Sequence, residues 1–244
     1  MVRKKVALVL HGYPAPLSSL NKLAEFLRNK GYMVIVPEYL KQDSFEFTKT
    51  AAWFKSQLRG KKPELILGLS LGGLVLPHVA VNYPKAKLVF VATGEKVKPS
   101  VFWLGKVIDL IAGPGGKMII KTLIKLPKNA IEYGYLKAQK IANPRYINED
   151  LTKRKQETVV AMRSLEADRH KEIVKFLKTC DNTQIIKKIH NKSLIISGRS
   201  DSLMPLARGR ELRKLIKNSR LVITGGNHYG VMNKSAWREL GKFI

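Results

Sequence analysis

Cysteine is almost absent from this 244-residue chain, in which Cys180 is the only one. A single cysteine excludes an internal disulfide and suits a reducing compartment. Nothing along the chain resembles a zinc site, a phosphate-binding glycine-rich loop or a dinucleotide fingerprint. We therefore expect neither a metal ion nor a cofactor.

Long hydrophobic runs are also missing, since none approaches the roughly 18 residues that span a bilayer. Basic residues 3–5 followed by apolar residues 6–10 look like the start of a signal peptide. That apolar run is shorter than the roughly 7–15 residues of a signal-peptide core, and it then meets His11 and Gly12. The sequence thus predicts a cytoplasmic protein without a membrane span.

Acidic residues are scarce, with 18 Asp and Glu against 45 Lys and Arg and a net charge of +27. Such an excess is typical of proteins that bind nucleic acid or an anionic membrane surface. A dedicated binding face should concentrate charge, but residues 95–190 carry 20 basic and 10 acidic residues and the remainder carries 25 and 8. This even spread favours a solvated basic surface, and we infer no specific nucleic-acid site.

Six stretches have the composition of short buried strands, and most are followed by apolar residues at helical spacing. The predicted strands are 2–10, 32–36, 64–69, 87–92, 193–197 and 220–223. The intervening helices are predicted at about 18–30, 44–58, 71–82 and 205–217, with a last helix from about 230 to the end. Alternating strands and helices predict an α/β fold with a mostly parallel sheet of about six strands flanked by helices.

The alternation stops between residues 95 and 190, where no convincing strand occurs. Helices are predicted there at 101–112, 117–126, 148–165 and 167–178. These helices are either a string of surface helices or a helical cap. We predict a cap (lid) insertion at 95–190 in a core made of 1–94 and 191–244.

The stretch 65–73 reads as a buried strand, a sharp turn and the start of a helix, with Ser70 at the tip of the turn. Gly68, Ser70 and Gly72 match the Gly-x-Ser-x-Gly pattern of a nucleophile elbow. Side chains two positions either side of the serine would collide with neighbouring backbone, so glycine is expected at both. A pattern with three required residues also arises by chance, so its weight depends on the rest of the chain.

Two further polar residues follow later strands, because Asp201 comes after 193–197 and His228 after 220–223. The carboxyl ends of parallel strands meet at one edge of a sheet, where sites form. A serine needs a base to take its proton, and an imidazole needs a carboxylate to orient it. Either residue alone could be structural, but the order Ser70, Asp201, His228 predicts a catalytic triad.

The turn after the first strand supplies the remaining part of this machinery. The backbone N–H groups of Tyr13 and Leu71 are predicted to form an oxyanion hole, and Gly12 permits the turn. His11 is not needed as a base and is predicted to organise this loop through hydrogen bonds. The other three histidines have no partner pattern and are expected to be solvated or packed: His78, His170 and His190.

Over nearly its whole length the chain resembles the α/β-hydrolases. The motifs that carry the resemblance are 11–14 (HGYP), 68–73 (GLSLGG), 197–201 (SGRSD) and 226–228 (GNH). The family implies Ser70 as nucleophile, His228 as base, Asp201 as acid and a cap inserted after the fourth strand. Family members usually carry two or more antiparallel strands before the His-Gly strand, and this chain begins directly on that strand. Glu95, after the fourth strand, is a fallback acid.

A serine at the elbow favours a serine hydrolase of the esterase or lipase type, which cleaves a small or medium acyl ester through an acyl-enzyme. In the same family, dehalogenases and epoxide hydrolases carry aspartate there. Phe102 and Trp103 of the cap are candidate pocket residues, although packing onto the core explains them equally well. Acyl transfer, C–C bond hydrolysis and peptide cleavage use the same triad and stay open. So does a binding protein for nucleic acid or anionic lipid, and the sequence does not indicate the oligomeric state.

Overall fold

The fold is built on six strands that all run parallel. The computed structural model describes residues 4–42, 47–142 and 150–244. The strands are β1 (Lys5–Leu10), β2 (Tyr32–Ile35), β3 (Leu65–Leu69), β4 (Lys87–Val91), β5 (Ser193–Gly198) and β6 (Ser219–Thr224). They form one sheet in the order β2-β1-β3-β4-β5-β6. The sequence predicted a mostly parallel sheet of about six strands, and this is confirmed. The predicted starts at residues 2, 44 and 148 lie outside the described residues.

Eleven helices occur among the described residues. They are α1 (Asn21–Asn29), α2 (Phe47–Gln57), α3 (Leu71–Ala80), α4 (Phe102–Ala112), α5 (Gly116–Lys125), α6 (Lys128–Ala142), α7 (Asp150–Arg163), α8 (Ala167–Thr179), α9 (Thr183–Ile186), α10 (Leu206–Leu215) and α11 (Lys234–Phe243). Short 3-10 turns at Leu17–Leu20 and Tyr39–Lys41 follow the first two strands. None of the described helices is long and apolar enough to cross a membrane.

Both faces of the sheet are buried, because alternate side chains of each strand point to opposite sides. Leu8 and Leu10 belong to a core cluster that includes residues of α2, α3 and α10. Ala7 and Val9 belong to a second cluster on the other face, with residues of α1 and α11. Burial on two faces explains why the strands are continuous apolar runs rather than alternating patterns.

The register brings the carboxyl ends of the central strands together. Leu10 pairs with Gly68 across β1 and β3, and Leu69 pairs with Val91 across β3 and β4. The loops that follow β1, β3 and β4 therefore leave the sheet side by side. This edge is where the sequence places the candidate site.

The described part of the segment between β4 and β5 is mostly helical. Residues 95–190 are called the cap segment below, after the sequence prediction. Helix α8 packs against α4 and α5, while α6 packs against α7. Ile173 and Phe176 of α8 join the core cluster that α2, α3 and α10 share, whereas α4 has no buried residue. The cap segment is thus held to the sheet domain through α8.

Three helices differ from the sequence prediction. The four-residue helix α9 (Thr183–Ile186) was not predicted. Helix α6 was not predicted, because Gly134 interrupts its sequence and no capping residue marks its start. Helix α11 begins at Lys234 and not at about 230. Its true start is marked by Asn233, whose side-chain oxygen accepts a hydrogen bond of 3.1 Å from the Ala236 amide.

Candidate active site

Ser70 sits in the turn between β3 and α3 with a backbone conformation of φ 51° and ψ −117°. A positive φ is uncommon for a residue with a side chain and is held only when the surroundings enforce it. The Ser70 amide donates to the Val91 carbonyl at 2.9 Å, and the Ser70 carbonyl accepts from the Thr93 hydroxyl at 2.9 Å. These bonds fix the turn so that the serine side chain stands clear of the sheet.

The glycines around Ser70 allow neighbouring parts of the chain to approach one another closely. A Cβ at Gly68 would lie 2.5 Å from the Gly72 carbonyl oxygen, and one at Gly72 would overlap the Leu10 carbonyl. A Cβ on Gly73 would overlap the side chain of Thr93. The helix after the turn therefore packs against β1 and the loop after β4 at a distance that only glycine allows.

Ser70, His228 and Asp201 form a continuous hydrogen-bonded chain. His228 Nε2 lies 3.0 Å from Ser70 Oγ, and His228 Nδ1 lies 2.8 Å from Asp201 Oδ2. The Asp201 side chain is fully buried. Because a carboxylate can only accept, the ring donates from Nδ1 and leaves Nε2 free to take a proton from the serine.

The other oxygen of Asp201 is satisfied by backbone. Oδ1 accepts from the amides of Leu203 at 3.0 Å and Met204 at 2.8 Å. These two amide donors fix the rotamer of the side chain. Asp201 is thus held with its other oxygen pointing at the imidazole.

Asn227 shapes the loop that carries His228, and sequence reasoning gave it no role. It is buried, and its side-chain oxygen accepts from the amides of Tyr229 at 3.1 Å and Gly230 at 2.8 Å. Such an Asx turn is a short-range signal that Asn followed two or three residues later by Gly could have revealed. The turn orients the histidine between the serine and the aspartate.

The loop after β1 lies directly against the elbow. A Cβ on Gly12 would be 3.4 Å from the Ser70 Cβ, and Tyr13 lines the same cavity as Ser70. Leu71 is the first residue of α3, so its N–H has no acceptor within the helix. His11 is buried, and its Nδ1 lies 2.9 Å from the Gly12 carbonyl, which gives it a contact within the loop.

The side chain of Tyr13 connects this loop to the cap segment. Its hydroxyl lies 2.6 Å from Nδ1 of His170 in α8, and Nε2 of His170 lies 2.7 Å from the Met162 carbonyl in α7. A carbonyl can only accept, so Nε2 carries the hydrogen and Nδ1 accepts from the tyrosine. Burial lowers the pKa of His170, against a smaller opposing effect of its bond to Met162. Sequence reasoning missed this pair because 157 residues separate its members.

A cavity of about 410 Å³ opens above Ser70 and His228. Its apolar wall comes from α1 and the 3-10 turn before it, from the strand ends, and from α11 and the chain leading into it: Leu20, Leu23, Leu69, Val91, Val231, Met232 and Trp237. The cap segment contributes Tyr135, Glu157 and Thr158. Phe102 and Trp103, which the sequence predicted as pocket residues, are not among the residues that line this cavity. They belong to α4, which turns no residue into this cavity, and the Phe102 side chain is 78% exposed.

The Glu95 carboxylate has a different partner and does not face the imidazole. It is buried and forms an ion pair with Arg208 of α10. Its backbone carbonyl accepts from Asn182 at 2.8 Å, so it joins the two ends of the cap segment. Asp201 is the carboxylate that contacts the imidazole of His228. Within the described part of the chain, no cluster of three His, Cys, Asp or Glu residues has a geometry suited to a metal ion.

Known structures with similar folds include several enzymes. The chain is 20% identical to MGS-M2, an alpha/beta hydrolase from a Medee basin deep-sea metagenome library, with a TM-score of 0.73, covering 100% of this chain and 90% of that one. It is 18% identical to the esterase EaEST from Exiguobacterium antarcticum, with a TM-score of 0.68, and the match covers 98% of this chain and 91% of that one. It is 16% identical to the enol-lactonase from Burkholderia xenovorans LB400, with a TM-score of 0.69, and the match covers 99% of this chain and 91% of that one.

Sequence comparison is informative at the level of the family. No protein of curated function matches the chain. The family described as alpha/beta hydrolase fold matches residues 6–235, which is nearly the whole chain. Together with the sheet order and the serine elbow, this match shows that the chain belongs to the α/β-hydrolase fold family.

Proposed function

We propose that the protein is a serine hydrolase that cleaves carboxylic esters. The observation that carries the proposal is the chain of hydrogen bonds from Ser70 through His228 to Asp201, with distances of 3.0 and 2.8 Å. The cavity above it is of a size that takes small to medium ligands. The esterase and the enol-lactonase named above act, by their names, on ester bonds, and this likeness is consistent with the proposal.

In the first half of the reaction, Ser70 Oγ attacks the ester carbonyl while His228 Nε2 takes the serine proton. The new C–O bond pushes an electron pair onto the carbonyl oxygen, where the N–H groups of Tyr13 and Leu71 would stabilise the charge. Each such donor is typically worth about 10²–10³ in rate. As the tetrahedral intermediate collapses, His228 returns the proton to the departing alkoxide, and an acyl-enzyme and an alcohol remain.

In the second half, a water molecule takes the place of the alcohol. His228 removes a proton from the water, the hydroxide attacks the acyl carbon, and the proton is then given to Ser70 Oγ. The products are a carboxylic acid and the free enzyme. Buried Asp201 stabilises the imidazolium in both halves without itself being protonated.

A fluorophosphonate probe tests this proposal, since it labels a serine only where a base activates it. We expect the native protein to be labelled, Ser70→Ala to be unlabelled, and Ser56→Ala to be labelled like the native protein. Ser56 is a suitable control because its exposed hydroxyl donates to the Trp53 carbonyl of its own helix and accepts from the adjacent Gln57 side chain. Labelling that survives in Ser70→Ala would assign the nucleophile elsewhere.

The type of substrate is tested by comparing esters of graded chain length with thioesters, lactones and aminoacyl amides. We expect turnover of small and medium esters to exceed that of amides. Product analysis in the presence of an added alcohol separates hydrolysis from acyl transfer. Faster turnover of amides than of esters would favour a peptidase and contradict the proposal.

A further inference from the structure

The cap segment carries an apolar surface that the proposed chemistry does not use. Five of the ten large hydrophobic side chains exposed in the described part of the chain belong to α4 and α5. They are Phe102, Val107, Leu110, Met118 and Leu123. Phe102 and Met118 are 78% and 75% exposed. Soluble proteins expose single apolar side chains freely, but a contiguous patch marks a surface that binds something.

These side chains lie on the outer faces of two neighbouring helices. Phe102, Lys106 and Leu110 follow one another at four-residue spacing and form one stripe on α4. Met118 has Lys121 and Lys125 beside it on α5. Helices α4 and α5 contact each other, and both pack against α8. The faces of α4 and α5 that lie opposite α8 therefore point away from the molecule on the same side. We call the apolar residues above, with Lys106, Lys121 and Lys125, the outer hairpin face.

The charge of this surface has one sign. Asp109 is the only acidic residue between 102 and 125, and it is paired with Lys178 at 2.9 Å. Lys106 Nζ lies 5.2 Å from the Phe102 ring centroid, on the exposed side of α4. No ion pair with another described residue neutralises Lys121 or Lys125. Cations therefore flank the apolar stripe, which is the arrangement of helices that lie in an anionic membrane interface.

We propose that the outer hairpin face docks on the surface of a lipid bilayer that contains anionic headgroups. The exposed apolar side chains would enter the boundary between headgroups and acyl chains, and the lysines would contact headgroup phosphates. This proposal concerns a surface apart from the cavity at Ser70 and does not depend on the reaction.

Charge complementarity distinguishes this partner from two others. A symmetric pair of these chains would place the same surface against itself and so bring two positively charged surfaces together. A nucleic acid would engage the lysines but would leave Phe102 and Met118 without an apolar partner. Anionic lipid satisfies both kinds of side chain.

Vesicle co-sedimentation tests the proposal with the full chain. We expect the protein to bind vesicles of phosphatidylcholine mixed with phosphatidylglycerol, and to bind pure phosphatidylcholine vesicles weakly. The double variant Phe102→Ser, Met118→Ser should bind the anionic vesicles at least about tenfold less, since each side chain loses most of its insertion energy. Lys121→Gln with Lys125→Gln should weaken binding by about tenfold or more at low salt and reduce its salt dependence.

The matched control is Met33→Ser with Ile223→Ser, which removes two exposed apolar side chains outside the cap segment. It should bind anionic vesicles like the native protein. Thermal unfolding followed by circular dichroism, and hydrolysis of a water-soluble short ester, verify that each variant is folded. Neither readout should change in the Phe102→Ser, Met118→Ser variant, because both side chains are exposed.

Three results would overturn the proposal. The first is a native protein that does not bind anionic vesicles, and the second is undiminished binding by the Phe102→Ser, Met118→Ser variant. The third is a dimer in sedimentation velocity that this variant abolishes, because the surface would then belong to a second copy. Binding to heparin or RNA that depends on the lysines but not on Phe102 and Met118, without vesicle binding, would likewise assign the surface to a polyanion.

Discussion

The sheet domain and helix α4 of the cap segment differ in how far they bury their residues. In the sheet domain, central strands such as β3 are covered on both faces, and glycine contacts at the elbow leave no room for a methyl group. In the cap segment, α4 buries no residue, and a Cβ added to Gly105 would meet nothing within 4 Å. The sheet domain holds Ser70, His228 and Asp201, whereas the cap segment contributes a few residues to the wall of the cavity and an apolar outer surface.

The largest effect on kcat is expected from a substitution at Asp201, whose carboxylate is buried in the sheet domain. Asp201→Asn should lower kcat by about 10⁴-fold, because the amide favours the wrong imidazole tautomer. The fold should survive, since the two amide contacts of the side chain can be kept. Steady-state kinetics and circular dichroism measure the two effects.

Glu95→Gln is the matched comparison for Asp201→Asn, because it neutralises a buried acid that faces Arg208. It should cost about 3–5 kcal/mol of stability by leaving Arg208 without its partner. The residual activity of the folded protein should stay within about tenfold of the native value. If Glu95→Gln abolished activity and Asp201→Asn did not, the acid would have to be reassigned.

Two glycine substitutions test the difference in packing directly. Gly72→Ala should destabilise the protein by about 3 kcal/mol, because its Cβ overlaps the Leu10 carbonyl. Gly105→Ala should stabilise it by up to about 1 kcal/mol, since alanine favours an uncrowded helix. Chemical denaturation gives both values. Equal effects at the two positions would show that the cap segment is packed as tightly as the sheet.

The bond between Tyr13 and His170 links the two regions, so its removal should affect both. Tyr13→Phe leaves a buried nitrogen unpaired and should cost about 1–2 kcal/mol of stability. It should also lower kcat by about tenfold, because the loop with the predicted oxyanion donor loses its contact with the cap segment.

A double-mutant cycle identifies the cause of the Tyr13→Phe effect. His170→Leu removes the same bond from the other side, so the double variant should be no slower than either single variant. Additive losses in kcat would mean that the two side chains act separately. His170→Asn, which can place an oxygen near the position of Nδ1, should recover part of the activity.

The smallest expected effect is on stability as a function of pH. Burial lowers the pKa of His170, and also of His11 and His78, below the ordinary value of 6.5. Between 6.5 and the lower folded pKa values, the unfolded chain binds more protons than the folded one. Stability should therefore be complete above about pH 6.5 and fall as the pH decreases through that window.

Removing one of these histidines should reduce the slope. Denaturation of the native protein and of His170→Asn over this pH range measures the contribution from the contact between the cap segment and the loop. An unchanged slope would show that His170 titrates equally in the folded and unfolded states.

Much of the fold and of the candidate site was predictable from the sequence for local reasons. The strands are short apolar runs. The glycines around Ser70 are required by close contacts with residues a few positions away or in adjacent strands. Asp201 and His228 were identified because each directly follows a strand in a parallel sheet. The role of Asn227 could also have been predicted, since its turn involves residues only two and three positions ahead.

The pocket and the helix boundaries were less predictable. Which cap residues enter the cavity depends on the rotation of each helix against its neighbours, and so Tyr135 and Thr158 line it while Phe102 does not. Helix α6 lacks a capping residue and contains Gly134, so its local signal is weak. Its stability comes from packing against α7, which no local pattern reports.

The sequence by itself determined the order along the chain of the six strands and of most helices, and it placed Ser70 and His228 after strands, because steric and hydrogen-bonding demands on those residues are local. Only the tertiary structure decided which carboxylate faces the imidazole, since Glu95 and Asp201 both follow strands and differ in which partner lies within reach. It also decided what the cap segment contacts. The bond from Tyr13 to His170 and the exposed face of α4 and α5 both depend on how helices distant in the chain pack against one another.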